Sequence, residues 1–154
     1  MPVAKTVVNY LDQRAIPYAV IRHAPTPSTR DTAASSHLPP DTIAKAVVLS
    51  DGNGYVMAVL PANRYLNVHT LSRKLRRELR LVDEQGLQRV FRDCALGAIP
   101  PLGPAYGMTT VVDDHLVGQP RVYFEAGDHE ALISVSGEEF ITLLRGARYA
   151  SFTH

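Results

Sequence analysis

The sequence contains very few of the residues that tie a fold together covalently or around a metal. It has one cysteine, Cys94, among 154 residues, which excludes an internal disulfide and a zinc site built from several cysteines. No two histidines have the His-x-x-x-His spacing of a helical zinc site. We therefore predict neither a metal nor any other cofactor, and we expect a hydrophobic core to hold the chain together.

Long apolar runs and an excess of charge of one sign are also missing. No apolar run reaches the roughly 20 residues of a membrane-spanning helix, and the first residues do not show the basic-then-apolar pattern of a secretory signal. The formal net charge is +1, so any contact with RNA must be local rather than spread over the surface. We expect a soluble, cytoplasmic protein without a membrane partner.

Two common catalytic motifs are absent as well. Neither Gly-x-Ser-x-Gly nor Gly-x-x-x-x-Gly-Lys occurs, so serine-hydrolase and nucleotidase functions have no support. Cys94 continues the apolar stripe of a predicted helix that Asp83 caps and Gly97 ends. A thiol in such a stripe is a poor nucleophile, because its thiolate is disfavoured there.

Apolar periodicity predicts one α+β domain over residues 1–154. Amphipathic helices are predicted over 3–14 and 67–77, and the last helix begins at a capping box formed by Ser136 and Glu139. The runs 43–50 and 55–60 are apolar on both faces and flank a hairpin signal, so they are predicted to be central strands. With about six short strands and about five helices in mixed order, we expect a mixed, mostly antiparallel sheet surrounded by helices.

The segment from Gly97 to Gly107 is predicted to be a loop, because it holds three glycines and three prolines. It is either a rigid connector or the wall of a pocket whose backbone N–H groups can bind a ligand. Gly97, Pro101 and Gly103 are the candidate site residues within it.

Lys45 is the most unusual single residue, because it lies among Ile43, Ala44, Ala46 and Val47. Burying an ammonium group without a partner is costly. One interpretation is that the stem packs while the amine reaches water. The other is that the amine points into a cleft, where it binds a phosphate or polarises an ester carbonyl.

Further candidates lie at strand ends and turns. His23 and His129 stand where residues from separate segments can converge, although a lone loop histidine is more often a surface group. Thr29 belongs to a hydroxyl-rich stretch, in which Ser28 or Thr29 can cap a short helix. Asp113 can orient a water or a ribose hydroxyl, or it can simply form a turn.

One local concentration of positive charge stands on the predicted helix over 67–77. It consists of Arg73, Lys74, Arg76 and Arg77. Such a cluster is commonly a solvated helix face. The alternative is contact with a phosphate backbone, which would make binding depend on salt.

Five segments follow one another in a distinctive order: 43–49 around Lys45, 56–62, the loop 97–103, Val112-Asp113, and 125–129. Together they resemble the YbaK/prolyl-tRNA synthetase-associated editing domain family, and the resemblance covers nearly the whole chain. Members of that family hydrolyse the ester of mischarged aminoacyl-tRNA, either within prolyl-tRNA synthetase or as free-standing proteins that act in trans. This chain is similar to the free-standing kind.

The resemblance implies roles for particular residues. Lys45 matches the functional lysine of the family, residues 97–101 match its Gly-x-x-x-Pro loop, and His129 falls where some prolyl-type members carry a functional histidine. The implied reaction is attack by water, with Lys45 on a phosphate or the ester carbonyl and loop amides on the oxyanion. We predict that His23, Thr29, Pro101, Gly103 and Asp113 bind the substrate.

The implied partners are the acceptor end of a mischarged tRNA and an aminoacyl-tRNA synthetase. Two other functions remain open: a non-catalytic module that binds a small molecule or a tRNA end, and a domain that docks on a synthetase. The sequence indicates neither the amino acid removed nor the oligomeric state.

Overall fold

The computed structural model describes residues 3–24 and 29–154, and within them the chain forms a single mixed sheet with helices on both faces. The α-helices are α1 (Lys5–Gln13), α2 (Thr29–Ser36), α3 (Val68–Leu75), α4 (Glu84–Val90) and α5 (Gly137–Leu143). The strands are β1 (Ala19–Arg22), β2 (Ile43–Ser50), β3 (Tyr55–Pro61), β4 (Arg80–Leu81), β5 (Thr109–Asp113), β6 (Arg121–Glu125), β7 (Ala131–Ser136) and β8 (Arg148–Ala150). Short 3-10 helices occupy Pro40–Thr42, Gly103–Tyr106 and Asp114–Leu116.

The strand order is β1-β7-β6-β2-β3-β5-β8, and β4 pairs with the far end of β2. Antiparallel pairing joins β1 to β7, β7 to β6, β2 to β3 and β2 to β4. Parallel pairing joins β2 to β6, β3 to β5 and β5 to β8. The predicted α+β class with a mixed sheet is therefore confirmed, and β2 and β3 are central strands as predicted.

Alternation along the strands divides the core between the two faces of the sheet. The α1 face is the side that packs against α1 and α5, and its buried strand residues include Ala44, Val48, Met57, Val59 and Phe124. The α3 face is the side that packs against α2 and α3, and its buried strand residues include Ile43, Leu49, Leu60, Val111 and Leu132. Both faces of β2 and β3 are covered, which explains why these two strands carry apolar residues on both faces.

Helices α3, α4 and α5 each begin at a capping side chain, and the sequence predicts the caps of α4 and α5. The side chain of Asn67 accepts from Thr70 N at the start of α3, and that of Asp83 accepts from Gly86 N at the start of α4. Ser136 and Glu139 form the predicted capping box at α5. These signals need only neighbouring residues, so they can be identified without the fold. Ser28, the other predicted cap of α2, lies outside the described residues.

The prediction that α4 continues to Gly97 is wrong, because the helix ends at Val90. Tertiary hydrogen bonds draw the following residues away from the helix axis. Thr6 N donates to Asp93 Oδ2 at 3.1 Å, and Tyr106 OH donates to Asp93 Oδ1 at 3.2 Å. Cys94 still packs against the core of the α1 face, and burial raises the pKa of its thiol to about 12.

Two further elements depart from the sequence prediction. The loop after Gly97 is not irregular throughout, since Gly103–Tyr106 forms a 3-10 turn within it. Strand β8 was not predicted, because Arg148-Tyr149-Ala150 shows no apolar alternation. Among the described helices, none is long and apolar enough to cross a membrane.

Candidate functional site

Two charged side chains stand beside each other on the α3 face, at the junction of β2 and β6. The parallel ladder between these strands pairs Ala44 with Phe124. Lys45 and Glu125 follow directly after this pair. Because alternate residues of a strand point to opposite faces, both side chains lie on the face opposite to Ala44 and Phe124. An ammonium and a carboxyl group are thus brought to neighbouring central strands.

Lys45 is half-buried, and its amine lies over the end of β3. Lys45 Nζ donates to the carbonyl oxygen of Ala62 at 3.4 Å and lies 5.6 Å from the centre of the Tyr65 ring. A long polar contact and a cation over an aromatic face both partly compensate a half-buried ammonium. These two contacts hold the amine at one end of the sheet, beside Ala62 and Tyr65.

Glu125 is almost completely buried, with 2% of its surface exposed. Thr32 Oγ1, on α2, donates to Glu125 Oε1 at 2.8 Å. The other oxygen, Oε2, has no hydrogen-bond partner among the described residues and lies 4.0 Å from His129 Nδ1. Burial raises the pKa of Glu125, although the Thr32 hydrogen bond and the charges of His129 and His23 act in the opposite direction.

His129 connects Glu125 to a neighbouring turn. Its Nε2 contacts the carbonyl oxygen of Leu96, and its Nδ1 is buried without a hydrogen-bond partner in the described part of the chain. His23 follows β1 and is close enough to affect the pKa of Glu125, and its Nε2 is likewise buried and unpaired within residues 3–24 and 29–154. Orphaned buried polar atoms are rare in proteins, so their concentration here marks a functional-site candidate.

The turn that His129 contacts is formed by residues 95–98. Ala98 N donates to Ala95 O at 3.1 Å, which closes the turn. Two hydrogen bonds fix it to the β6–β7 connection: Ala95 N donates to Gly127 O at 2.7 Å, and Gly127 N donates to Ala98 O at 3.0 Å. Gly97 stands in the turn with φ 81°, is exposed, and its N–H donates to no group in the described residues. We refer to residues 95–98 as the Gly97 turn.

The family model of the aminoacyl-tRNA editing domain matches residues 23–143, from His23 to beyond His129. The chain belongs to the aminoacyl-tRNA editing domain family. No match is found among curated proteins.

Solved structures share the fold of this editing domain over its whole length. One is named a "putative trans-editing enzyme for prolyl tRNA synthetase"; it has 22% sequence identity and a TM-score of 0.85, and the match covers 100% of this chain and 98% of that one. Another comes from work on epitope backbone grafting onto scaffold proteins, with 21% identity, a TM-score of 0.86 and coverage of 100% and 98%. A hypothetical protein matches with 21% identity, a TM-score of 0.84 and coverage of 97% and 100%.

The editing domain brings several of the predicted site residues together. His23, Lys45, Gly97 and His129 belong to the region around Glu125, and Thr29 begins the helix that carries Thr32. Glu125 and Thr32 themselves were not among the predicted site residues. A carboxylate at the end of the apolar strand β6 was the available signal for Glu125, whereas nothing in the sequence distinguishes Thr32 from its hydroxyl-bearing neighbours.

The far part of the predicted loop lies elsewhere in the editing domain. Gly103 is buried on the α1 face, where a Cβ atom would come within 2.0 Å of Thr110 Oγ1. Glycine is required there by close packing. Pro101 is also buried. The Gly97 end and the Gly103 end of the loop therefore have different surroundings, and Gly103 is not beside Glu125.

Asp113 lies on the same face of the sheet as Lys45 and Glu125, level with them on β5. Its carboxylate, however, accepts hydrogen bonds from neighbouring backbone N–H groups. Oδ1 accepts from His115 N at 2.9 Å, and Oδ2 accepts from Phe152 N at 3.1 Å. Burial raises the pKa of Asp113, yet these hydrogen bonds outweigh burial and hold it below the ordinary value. Asp113 thus ties the end of β5 to the segment that follows β8.

The basic residues at the end of α3 extend toward the far end of β2, where Arg77 contacts Asp51, roughly 20 Å along the strand from Lys45. Arg73, Lys74 and Arg76 are exposed, and Lys74 Nζ donates to Ser151 O at 2.6 Å. Arg77 differs, because its Nε donates to Asp51 Oδ2 at 2.8 Å in a half-buried ion pair. In the described residues no group of three His, Cys, Asp or Glu side chains is arranged to hold a metal ion.

Proposed function

We propose that this editing domain is a trans-acting deacylase that hydrolyses the ester of a mischarged aminoacyl-tRNA. The observation that carries the proposal is the juxtaposition of Lys45, the buried Glu125–His129 pair and the Gly97 turn, within the region that the family match covers. A cation and an unpaired backbone N–H are the groups that ester hydrolysis needs for the charge that develops on the carbonyl oxygen.

In the proposed reaction, Lys45 contacts the terminal phosphate or the ester carbonyl of the acceptor end. The oxygen of a water molecule attacks the carbonyl carbon, and the N–H of Gly97 stabilises the oxyanion. The bond from that carbon to the ribose oxygen then breaks, the ribose oxygen takes up the proton that the water gives up, and the free amino acid leaves. Gly103 takes no part, since it is buried on the other face.

We propose that Arg73, Lys74 and Arg76 bind the phosphate backbone of the tRNA, because they are the exposed cations at the C-terminal end of α3, with Arg76 as its C-cap. Arg77 is left out of this surface, since its guanidinium is held by Asp51. One structural neighbour is named as a trans-editing enzyme for prolyl-tRNA synthetase. The first substrate to test is therefore the tRNA of that synthetase carrying a wrong amino acid. Docking on that synthetase is a further proposal, which co-purification tests.

The test is a hydrolysis assay on a panel of mischarged tRNAs. We expect the wild type to deacylate at least one member, and Lys45→Ala to lower kcat/KM by about 10²–10³-fold, the usual cost of removing one group that stabilises an oxyanion. Lys5→Ala is the matched control, because Lys5 is exposed on α1. No hydrolysis of any member would contradict the proposal, and tRNA binding that persists without turnover would favour a non-catalytic binding module.

A further inference from the structure

The hydrogen bonds around His129 determine which of its ring nitrogens carries a proton. Nε2 faces the carbonyl oxygen of Leu96, which can only accept, so Nε2 is the protonated nitrogen. Nδ1 points the other way, into the buried region, at 4.0 Å from Glu125 Oε2. In the neutral ring with Nε2–H, Nδ1 is an acceptor that faces a second acceptor.

Thr32 fixes where the proton of Glu125 can reside. Because Thr32 Oγ1 donates to Oε1, that oxygen acts as an acceptor, and Oε2 is left to face His129. At 4.0 Å the two atoms form no hydrogen bond, and a proton on either Oε2 or Nδ1 turns two facing acceptors into a donor and an acceptor that attract each other. In both arrangements Nε2–H stays on Leu96 O, so the carboxyl group favours the same ring orientation that the Leu96 contact requires.

We infer that Glu125, anchored by Thr32, is a positioning residue that fixes His129 so that the imidazole holds Leu96 and thereby the Gly97 turn. His129 is then a positioning residue too, because its Nε2 contacts Leu96 O and its Nδ1 is buried beside Glu125. The effect of this positioning on catalysis rests on the proposed deacylase function. The tautomer of His129 does not depend on that function.

The groups around Glu125 support a shared proton. Burial raises the pKa of Glu125, and the charged or titratable groups that face it are His23 at the end of β1, Asp128 and His129 in the β6–β7 connection, and Lys45 on β2. Asp128 is buried and lies 3.9 Å from Arg22 Nη1. Around Glu125, the two histidines lower its pKa and Asp128 raises it, while the Thr32 hydroxyl on α2 donates to Oε1.

The first experiment reads the tautomer directly. Long-range ¹H–¹⁵N spectra of protein labelled at histidine nitrogens distinguish Nε2–H from Nδ1–H, and His129→Asn assigns the signal. We expect Nε2–H, or the doubly protonated ring, in the wild type, and an Nδ1–H population in Glu125→Ala and in Thr32→Val. An unchanged tautomer in both variants would overturn the inference. If Glu125→Ala does not fold, Thr32→Val alone decides.

Conservative variants separate positioning from packing. In Glu125→Gln the amide oxygen can accept from Thr32 and the amide NH₂ can donate to Nδ1, so we expect the wild-type tautomer and recovery of most of the activity lost in Glu125→Ala. Thr32→Ser, which keeps the hydroxyl, should behave likewise. Glu130→Ala is the control, because Glu130 is an exposed carboxylate next to His129. Failure of Glu125→Gln to restore the tautomer would contradict the proposed geometry.

The kinetic arm uses the tRNA that the panel identifies. We expect Glu125→Ala to lower kcat by about tenfold or more with KM little changed, and the double variant with His129→Ala to be no worse than His129→Ala alone, since the two act as one unit. Additive losses would overturn the inference. If even the wild type hydrolyses no ester, the deacylase proposal fails. The tautomer measurement still decides whether Glu125 positions His129.

Discussion

Thr32 and Glu125 are 93 positions apart in the chain, and their side chains form a buried 2.8 Å hydrogen bond between α2 and the end of β6. The bond leaves one carboxyl oxygen of Glu125 directed at His129. A helix that contributes little apolar surface is in this way attached to the centre of the sheet.

Glu125→Gln is expected to alter the pH dependence of stability. Because burial raises the pKa of Glu125 above its ordinary value of 4.5, the folded state binds this proton more tightly than the unfolded state. The stability tied to that proton is fully present below pH 4.5 and is lost as the pH rises through the folded pKa. Urea unfolding of both proteins between pH 4 and pH 8 should show a relative gain for Glu125→Gln that grows with pH. A difference that does not vary with pH would contradict this.

Gly127→Ala is expected to destabilise the protein and displace the Gly97 turn. Gly127 has φ 107°, and a Cβ atom there would lie 2.8 Å from the Cβ of Ala4 and 3.2 Å from Asp93 O. Backbone strain and overpacking together should cost about 2–5 kcal/mol. Gly118→Ala is the control, because Gly118 has φ 87° but nothing within 4 Å. Chemical unfolding measures both, and equal losses would show that the contacts of Gly127 do not matter.

The exposed cations of α3 are expected to set the salt dependence of tRNA binding. Arg73→Ala and Arg76→Ala should each weaken binding similarly for every tRNA and lower the slope of log Kd against log salt by about 1. Arg92→Ala, an exposed arginine after α4, serves as the control. Filter binding at several salt concentrations measures the slopes. A slope unchanged in both variants would place the tRNA elsewhere.

Arg77→Ala is expected to act on stability rather than on tRNA. Its partner Asp51 also accepts from Asn53 N and Gly54 N in the β2–β3 hairpin, and the Arg77 hydrogen bond is the largest of the contacts that hold the pKa of Asp51 far below its ordinary value of 3.8. The stabilisation is present above pH 3.8 and is lost as the pH falls. Thermal unfolding at pH 7 and pH 3 should therefore show a larger effect of the substitution at pH 7, and the reverse order would refute it.

Cys94 is expected to react slowly with iodoacetamide in the folded protein. Burial raises its pKa to about 12, so very little thiolate exists at pH 8. Alkylation should be roughly a hundredfold or more slower than in urea-unfolded protein, where the thiol has an ordinary pKa near 8.5. Mass spectrometry follows the reaction. Rapid alkylation of the folded chain would contradict the raised pKa and make Cys94 a candidate nucleophile.

The sequence allows prediction of those features that depend on neighbouring residues. The hairpin between β2 and β3, the Asp83 cap and the Ser136 capping box follow from short motifs and are confirmed. The end of α4 could not be predicted, because it depends on bonds from Thr6, Tyr106 and Gly127 to residues after the helix. Such long-range contacts leave no periodic pattern in the sequence.

The site was predictable only in part for the same reason. Lys45 stands out because a lysine is unusual in an apolar strand, and His129 because of the family resemblance. Glu125 acquires its importance only when β6 pairs with β2 in parallel and α2 covers the same face. Gly103 resembled a pocket glycine, yet its surroundings are a packed core. A glycine-rich loop does not reveal which of its glycines faces a ligand.

The parallel pairing of β2 with β6 also bears on the order of folding. Strands that neighbour in the sheet but lie far apart in sequence must close a long chain segment before any pairing energy is gained, and such closures are slow. The β2–β3 hairpin can form early, whereas Lys45 and Glu125 meet only when β6 has docked. Recovery of activity during refolding should therefore lag behind the formation of secondary structure.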